Sequence, residues 1–376
     1  MKIAILPLGY RNLPTGGLNI SAPGVLATQT ADKLVELGHQ VDVYAPKNSN
    51  VSAQIISDNL ESVEEELNDK EIDIGAYLSL LTQYDLYNLR MLLENSDKYD
   101  IVHAHDYRKL MYFADFLKCP VVYSYHGVPT DDIKFEIEKK RSKKFFKNNY
   151  FIAASNYQVY SGTDYYNFIG VVNHGVPVEQ ISYNSKGGEE LLFVGRLMRR
   201  KRPDVAIDVA QALNTPIDII GKKYITEEDV QYFNEILQPK LTSPGVNYLG
   251  TVQSPDIYSY YGNYKALLFP IEMDEAFGMV LIESLAAGTP VVAFNRGPVS
   301  EIIKHGQTGY LVEPDNLEDF KFYTNKIINL PSHEYAQMRK NCRDDAAQRF
   351  SISKMVNGYL DLYQKIINTS ADNNLA

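Results

Sequence analysis

Two carboxylates and a cluster of cations are the residues best able to do chemistry in this chain. Glu275 and Glu283 stand in the run M-D-E-A-F-G-M-V-L-I-E-S-L-A-A-G-T-P, Met273 to Pro290. Gly278 suits the opening of a helix, and Met279, Ile282, Leu285 and Ala286 would give that helix an apolar stripe. A helix beginning near Phe277 would offer the free backbone N–H groups of its first turn to phosphate or sugar oxygens. Glu275 would then sit at its mouth. Glu283, two turns along and on nearly the same face, would accept hydrogen bonds from hydroxyls. Taken alone, the pair fits a surface helix with scattered acids equally well.

The cations lie upstream, in G-R-L-M-R-R-K (Gly195–Lys201), just after the apolar run Leu191–Val194. Arg196 and Lys201 follow a strand end. There, a fixed guanidinium and ammonium would stabilise a leaving diphosphate as it gains charge. Arg199, Arg200 and Arg202 crowd the same stretch, so a solvated basic loop fits this segment alone about equally well. His126, in S-Y-H-G, also follows an apolar run and could hydrogen-bond a sugar or polarise a hydroxyl. His103 and His105, in H-A-H-D, end another run and read as structural residues of a cleft wall. His174, in N-H-G-V-P, reads as a turn residue. The Gly16-Gly17 pair after the first strand would let the backbone approach a ligand, or simply make a tight turn.

These residues need elements to hold them. Short apolar runs alternate with longer amphipathic stretches, the rhythm of βα units around parallel sheets. Strands are expected at Ile3–Leu6, Val41–Tyr44, Ile101–Ala104, Val121–Ser124, Phe151–Ala154 and Val171–Asn173. A second series is expected at Leu191–Val194, Ile217–Ile220, Leu267–Phe269 and Val291–Phe294. A helix is expected over Pro23–Leu37, capped by Ser21, with Pro23 in its first turn and Gly38 at its end. The resulting division is an N-terminal domain over 1–176, a linker over 177–188 and a C-terminal domain over 189–350. A C-terminal helix over 351–376 would pack back on the first domain. Two doubly wound α/β domains in tandem would bind ligands at their strand C-terminal ends, in the cleft between them.

Composition narrows the field. The chain has 376 residues, 45% hydrophobic and 22% charged, as expected of a folded two-domain protein. Its net charge of -10 argues against general affinity for nucleic acid. Cys119 and Cys342 have no metal-ligand spacing, and point to a reducing, cytoplasmic setting. Neither a signal peptide nor a membrane-spanning run is expected. The basic stretch Lys134–Lys147, with Phe135, Ile137, Phe145 and Phe146 interleaved, stands out against the acidic whole. It reads as a solvated helix or as a patch resting on anionic lipid at the inner face of a membrane.

In this order and at about this separation, G-R-L-x-x-x-K and E-x7-E resemble the motifs of family 4 glycosyltransferases of the GT-B fold. V-N-Y-L-G-T-V (Val246–Val252), G-T-P-V-V-A (Gly288–Ala293) and E-I-I-K-H-G-Q-T-G-Y-L-V (Glu301–Val312) fit the same family, so the likeness spans nearly the whole chain. The resemblance implies a GT-B architecture of two tandem Rossmann-like domains. It implies a retaining transferase that moves a sugar from a nucleotide-diphosphate donor to a saccharide, lipid-linked or small-molecule acceptor. By the same resemblance, Arg196 and Lys201 bind the diphosphate, Glu283 the ribose, and Glu275 the transferred sugar. Backbone amides of Phe277, Gly278, Met279 and Val280 hold sugar and phosphate, Val252 meets the base, Gly17 lies in the glycine-rich loop, and His126 lies near the reacting carbon. The loop after Gly17 is longer than the family pattern and lacks its acidic residue, which leaves acceptor contacts there open. With no Asp-x-Asp triplet in the chain, no metal and no cofactor are expected. Two other readings of the same architecture are a nucleotide-sugar 2-epimerase and a non-catalytic nucleotide-sugar binding protein.

Overall fold

In the computed structural model, residues 1–14, 22–68, 70–105, 108–128, 140, 149–162, 166–223, 226–252 and 255–373 are described. The chain divides into two compact units, Met1–Asn173 with Ile352–Ala376, and His174–Ser351.

The first unit is built on a parallel sheet of seven strands. These are β1 (Lys2–Leu6), β2 (Gln40–Tyr44), β3 (Gln54–Ile56), β4 (Ile101–His105), β5 (Val121–Ser124), β6 (Tyr150–Ala153) and β7 (Phe168–Val171), in the order β3-β2-β1-β4-β5-β6-β7. β4 and β5 are buried along their whole length, and they carry His103, His105 and Ser124 into that interior. The first helix, α1 (Ala22–Glu36), carries Pro23 in its first turn and ends at Gly38, whose φ of 83° is the left-handed stop. Ser21, the expected cap, lies outside the described residues.

The second unit repeats the plan with six parallel strands. They are β8 (Leu191–Val194), β9 (Ile217–Ile220), β10 (Val246–Gly250), β11 (Ala266–Phe269), β12 (Val291–Phe294) and β13 (Gly309–Val312), ordered β10-β9-β8-β11-β12-β13. Leu191, Phe193, Ile217, Ile219, Leu268, Val292 and Phe294 form the heart of its core. Each such side chain contributes roughly 2 kcal/mol by leaving water. Strand order reverses between β8 and β11, so the loops after these two strands diverge and open a crevice at their C-terminal ends. The helices that matter below are α2 (Pro203–Ala212), α3 (Met279–Ala286) and α4 (Ser332–Arg349), all in this unit.

Two expectations need correction. The last strand of the first unit is Phe168–Val171, not Val171–Asn173; it lies at the sheet edge and is only partly buried, so its apolar signal is weak. Residues 177–188 are packed into the second unit: Val178 and Ile181 are buried, and a Cβ at Gly188 would come within 1.8 Å of the Asn263 carbonyl. The glycine pair there serves close packing rather than looseness. The C-terminal helix is α5 (Ile352–Asn373), separated from α4 at Phe350–Ser351 where the chain returns to the first unit. One face of α5, Met355, Val356, Tyr359, Tyr363 and Ile366, is buried there. Among the described residues no helix is long and apolar enough to cross a membrane.

Candidate functional site

The basic loop after β8 is shaped by backbone bonds. Gly195 N–H donates to the Ile220 carbonyl at 3.0 Å and Leu197 N–H to the Lys222 carbonyl at 2.8 Å. A Cβ at Gly221 would lie 1.8 Å from the Gly195 carbonyl, so only glycine lets these two strand ends approach. A 3-10 turn over Arg199–Lys201 follows, and Arg202 takes a left-handed φ of 54° before Pro203 opens α2. This turn tucks Lys201 inward, where it is 8% exposed, while Arg196, Arg199 and Arg200 remain exposed. The five cations of the stretch therefore do not form one solvated face.

Lys201 forms an ion pair with Glu275 and lies 5.7 Å from the Phe269 ring centroid. Burial pushes its ammonium down to about 7, and the guanidiniums of Arg196 and Arg200 push the same way; the Glu275 carboxylate opposes them.

The loop after β11 meets the basic turn directly, since Glu272 N–H donates to the Arg200 carbonyl at 2.9 Å. Gly297, at φ 56°, lies under Glu275: a Cβ there would be 3.2 Å from the Glu275 carbonyl. Gly278, at φ 115°, caps α3 with no side-chain bond of its own. The first-turn N–H groups of Met279 and Val280 are thus left for a ligand, and both residues are half-buried. The helix starts at Met279, later than expected. Glu275 therefore lies in the loop before it, and Glu283 only about one turn inside it, so helical periodicity does not relate the two acids. Leu281 through Ala286 are all buried, and no single apolar stripe exists, because α4 covers the side away from the sheet.

Glu283 is buried and accepts a hydrogen bond of 2.6 Å from the Tyr261 hydroxyl; burial raises its carboxyl above the ordinary range. Val252 is half-buried beyond β10, whose end is tied to β9 by the 2.8 Å bond from Gly221 N–H to the Gly250 carbonyl. The residues expected to meet the donor, Arg196, Lys201, Glu275, Phe277, Gly278, Met279, Val280, Glu283 and Val252, all belong to the second unit.

Two supporting residues escaped the sequence reading. Arg339, on α4, is fully buried, and its guanidinium donates to the carbonyls of Asn184, Gly262, Tyr264 and Ala287 at 2.6–3.4 Å. Arg343 donates to the carbonyls of Ala286 and Ile181. Together they hold the C-terminal end of α3 and so the depth of Glu283. His174 is no mere turn residue: its ring packs 5.0 Å from Phe277, which in turn packs on Phe350.

The first unit holds His126, half-buried at the end of β5. Its Nε2 lies 3.3 Å from His105 Nδ1. His103 is locked between Tyr363 Oη at 2.5 Å and Ser124 Oγ at 2.8 Å. Burial lowers His126 to about 4 and His103 to about 3, so both are neutral at physiological pH. Gly17 lies outside the described residues, as does all of Lys134–Lys147 except Lys140. Among the described residues no group of His, Cys, Asp and Glu could hold a metal ion.

Comparison with known proteins decides the family. Residues 179–349 match the model of "Glycosyl transferases group 1", and residues 24–180 match that of "Glycosyltransferase Family 4". The chain belongs to the family 4 type of GT-B glycosyltransferases. This glycosyltransferase is similar to an uncharacterized glycosyltransferase of Methanocaldococcus jannaschii, 23% identical and aligned over 97% of this chain and 98% of the relative. Among solved structures it is similar to sucrose-phosphate synthase from Thermosynechococcus elongatus, with TM-score 0.77 and 15% identity, covering 98% and 99% of the two chains. It is also similar to Anabaena HepE in complex with UDP-glucose, with TM-score 0.68 and 15% identity, covering 99% and 100%. These likenesses give the GT-B fold, and the matched families make the glycosyltransferase an enzyme.

Proposed function

We propose that this glycosyltransferase moves a sugar from a nucleoside-diphosphate-sugar to an acceptor hydroxyl with retention of configuration and without a metal ion. The observation that carries this reading is the buried Lys201, paired with Glu275 beside the uncapped start of α3. A buried ammonium with a single carboxylate partner is suited to a diphosphate, and the helix N-terminus adds positive potential. Arg196 adds a second cation, so protein groups supply the neutralisation that a divalent ion would otherwise provide. The UDP-glucose bound by the related Anabaena protein supports this donor class.

In this reading the bond between the anomeric carbon and the β-phosphate oxygen breaks first. Lys201, Arg196 and the Met279 and Val280 amides stabilise the charge left on the phosphate. The acceptor oxygen bonds to the same face of the oxocarbenium-like carbon, and its proton passes to the departing phosphate oxygen. Glu275 orients the sugar hydroxyls and forms no bond to carbon. Glu283 holds the ribose, and Val252 lies against the base. Neutral His126 contributes a hydrogen bond to the reaction and carries no charge. Gly17 is assigned to the donor by family likeness. The acceptor is a saccharide, lipid-linked or small-molecule hydroxyl, and the two free cysteines suit a reducing, cytoplasmic compartment.

The test is a panel of nucleotide-sugars with an acceptor library, run with and without EDTA, and NMR of the product anomer. Transfer that survives EDTA with the donor's configuration supports the proposal. An inverted product, full EDTA sensitivity or an epimerised donor with no acceptor consumed would overturn it. Mass spectrometry of the Glu275→Ala protein after donor exposure tests the front-face step, which a sugar bound covalently to any carboxylate would sink.

A further inference from the structure

Tyr261 lies on a short 3-10 turn (Tyr261–Asn263), 22 residues before the acid it touches, in a segment with no recognisable motif. It is completely buried. Its backbone is held from two sides: the Thr289 hydroxyl donates to the Tyr261 carbonyl at 2.6 Å, and Arg339 Nη2 donates to the next carbonyl, Gly262, at 2.9 Å. The phenol can therefore swing little, and it donates to Glu283 Oε2 at 2.6 Å. Among the described residues it is the sole side chain bonded to that carboxyl, and Oε1 is left for a ligand.

We propose that Tyr261 is a positioning residue that anchors Glu283 by one oxygen, so that the other is presented, ionised and pre-aimed, to a hydroxyl of the donor. The proposal rests on the reading of Glu283 as a donor-binding acid. A buried carboxyl is driven toward its neutral form, and a phenol that donates to the carboxylate works against that drive. The phenol cannot ionise in its place, because burial and the adjacent carboxylate push Tyr261 well above its ordinary range. The other titratable and charged groups that the packed elements bring to the interior around Glu283 are Tyr258, near Tyr261, and on α4 Tyr335, Arg339, Cys342 and Arg343, which are engaged on carbonyls, and Asp345, which is paired with Lys304. None of these bonds to the Glu283 carboxyl.

The experiment measures binding of UDP and, in turn, GDP by titration calorimetry from pH 5.5 to 8, with thermal melts to verify folding. Losing a hydrogen bond to a charged group should raise the Glu283 titration by about one pH unit. Tyr261→Phe should therefore lose affinity relative to wild type at the acid end of the range, by up to about tenfold, and approach wild type as pH rises. In the Glu283→Gln background, where this carboxyl is gone while Lys201 and the nucleotide titrate alike in both proteins, adding Tyr261→Phe should give the same small loss at both ends of the pH range. A loss from Tyr261→Phe that is equal at all pH values, or equally pH-dependent without the carboxyl, would make the residue merely structural and overturn the proposal. Weakened binding in Glu283→Gln with none in Tyr261→Phe would overturn the role of Tyr261 while leaving the donor reading standing. A wild-type protein that binds neither nucleotide overturns both.

Discussion

Lys201 offers a measurable signature of donor binding, because it is held near a pH where it changes charge. Its ammonium is pushed down to about 7 in the unliganded protein, from an ordinary value of 10.5. A diphosphate beside it restores the charged form and moves the titration back up. The bound state therefore holds more protons than the free state above pH 7, and affinity must fall as pH rises. With a free-state value near 7, the apparent dissociation constant grows as one plus ten to the power of pH minus 7. Between pH 6 and pH 8.5 that is about thirtyfold, or about 2 kcal/mol. A nucleotide-sugar is the right probe, since its diphosphate diester keeps a constant charge over this range. Calorimetry at pH 7.5 in buffers of differing ionisation enthalpy should count about 0.8 proton taken up on binding. Lys201→Arg, charged throughout, should flatten the profile, and Glu275→Gln should move the transition to lower pH by removing the opposing carboxylate. A flat wild-type profile, or protons released on binding, would refute the reasoning.

Other consequences are open to simpler assays. Arg339→Met leaves several buried carbonyls unanswered and should lower unfolding free energy by about 3 kcal/mol or more, read from urea melts. Tyr363→Phe removes the hydroxyl bonded to His103 and should cost about 1–2 kcal/mol in the same experiment. Glu275→Ala should reduce kcat by about a hundredfold or more, since it removes the acid assigned to the reacting sugar. His126→Ala should lower turnover without altering the shape of the pH–rate profile between 6 and 8, because burial keeps the imidazole neutral there.

Much of the second unit's framework around the candidate site was legible because its signals are local. β8 is four consecutive buried apolar residues, and the basic turn follows it directly, while the glycine that its packing requires is Gly221 at the end of β9. β10, β13 and β3 did not read as strands, since each is an edge strand with short or polar stretches. The start of α3 was misjudged by about two residues, because the left-handed glycine that stops the loop looks in sequence like an ordinary helix opening. What stayed hidden was the support. Tyr261 reaches Glu283 across 22 positions, Arg339 reaches Asn184 across 155, and His103 reaches Tyr363 across 260. A single sequence records such partners only as an isolated tyrosine, arginine or histidine with no periodic context.

The last of these contacts bears on how the chain is made. Every strand of the first sheet has left the ribosome by Val171, yet the helix carrying Tyr359 and Tyr363 emerges only after all of His174–Ser351 has been translated. At about 5–20 residues per second that interval is on the order of ten to forty seconds. Throughout it His103 and Ser124 lack their phenolic partners, and the sheet face destined for α5 stays wet. The half that is synthesised first is thus the half that is finished last, and chaperones that shield apolar surface have their longest window on the nascent N-terminal sheet.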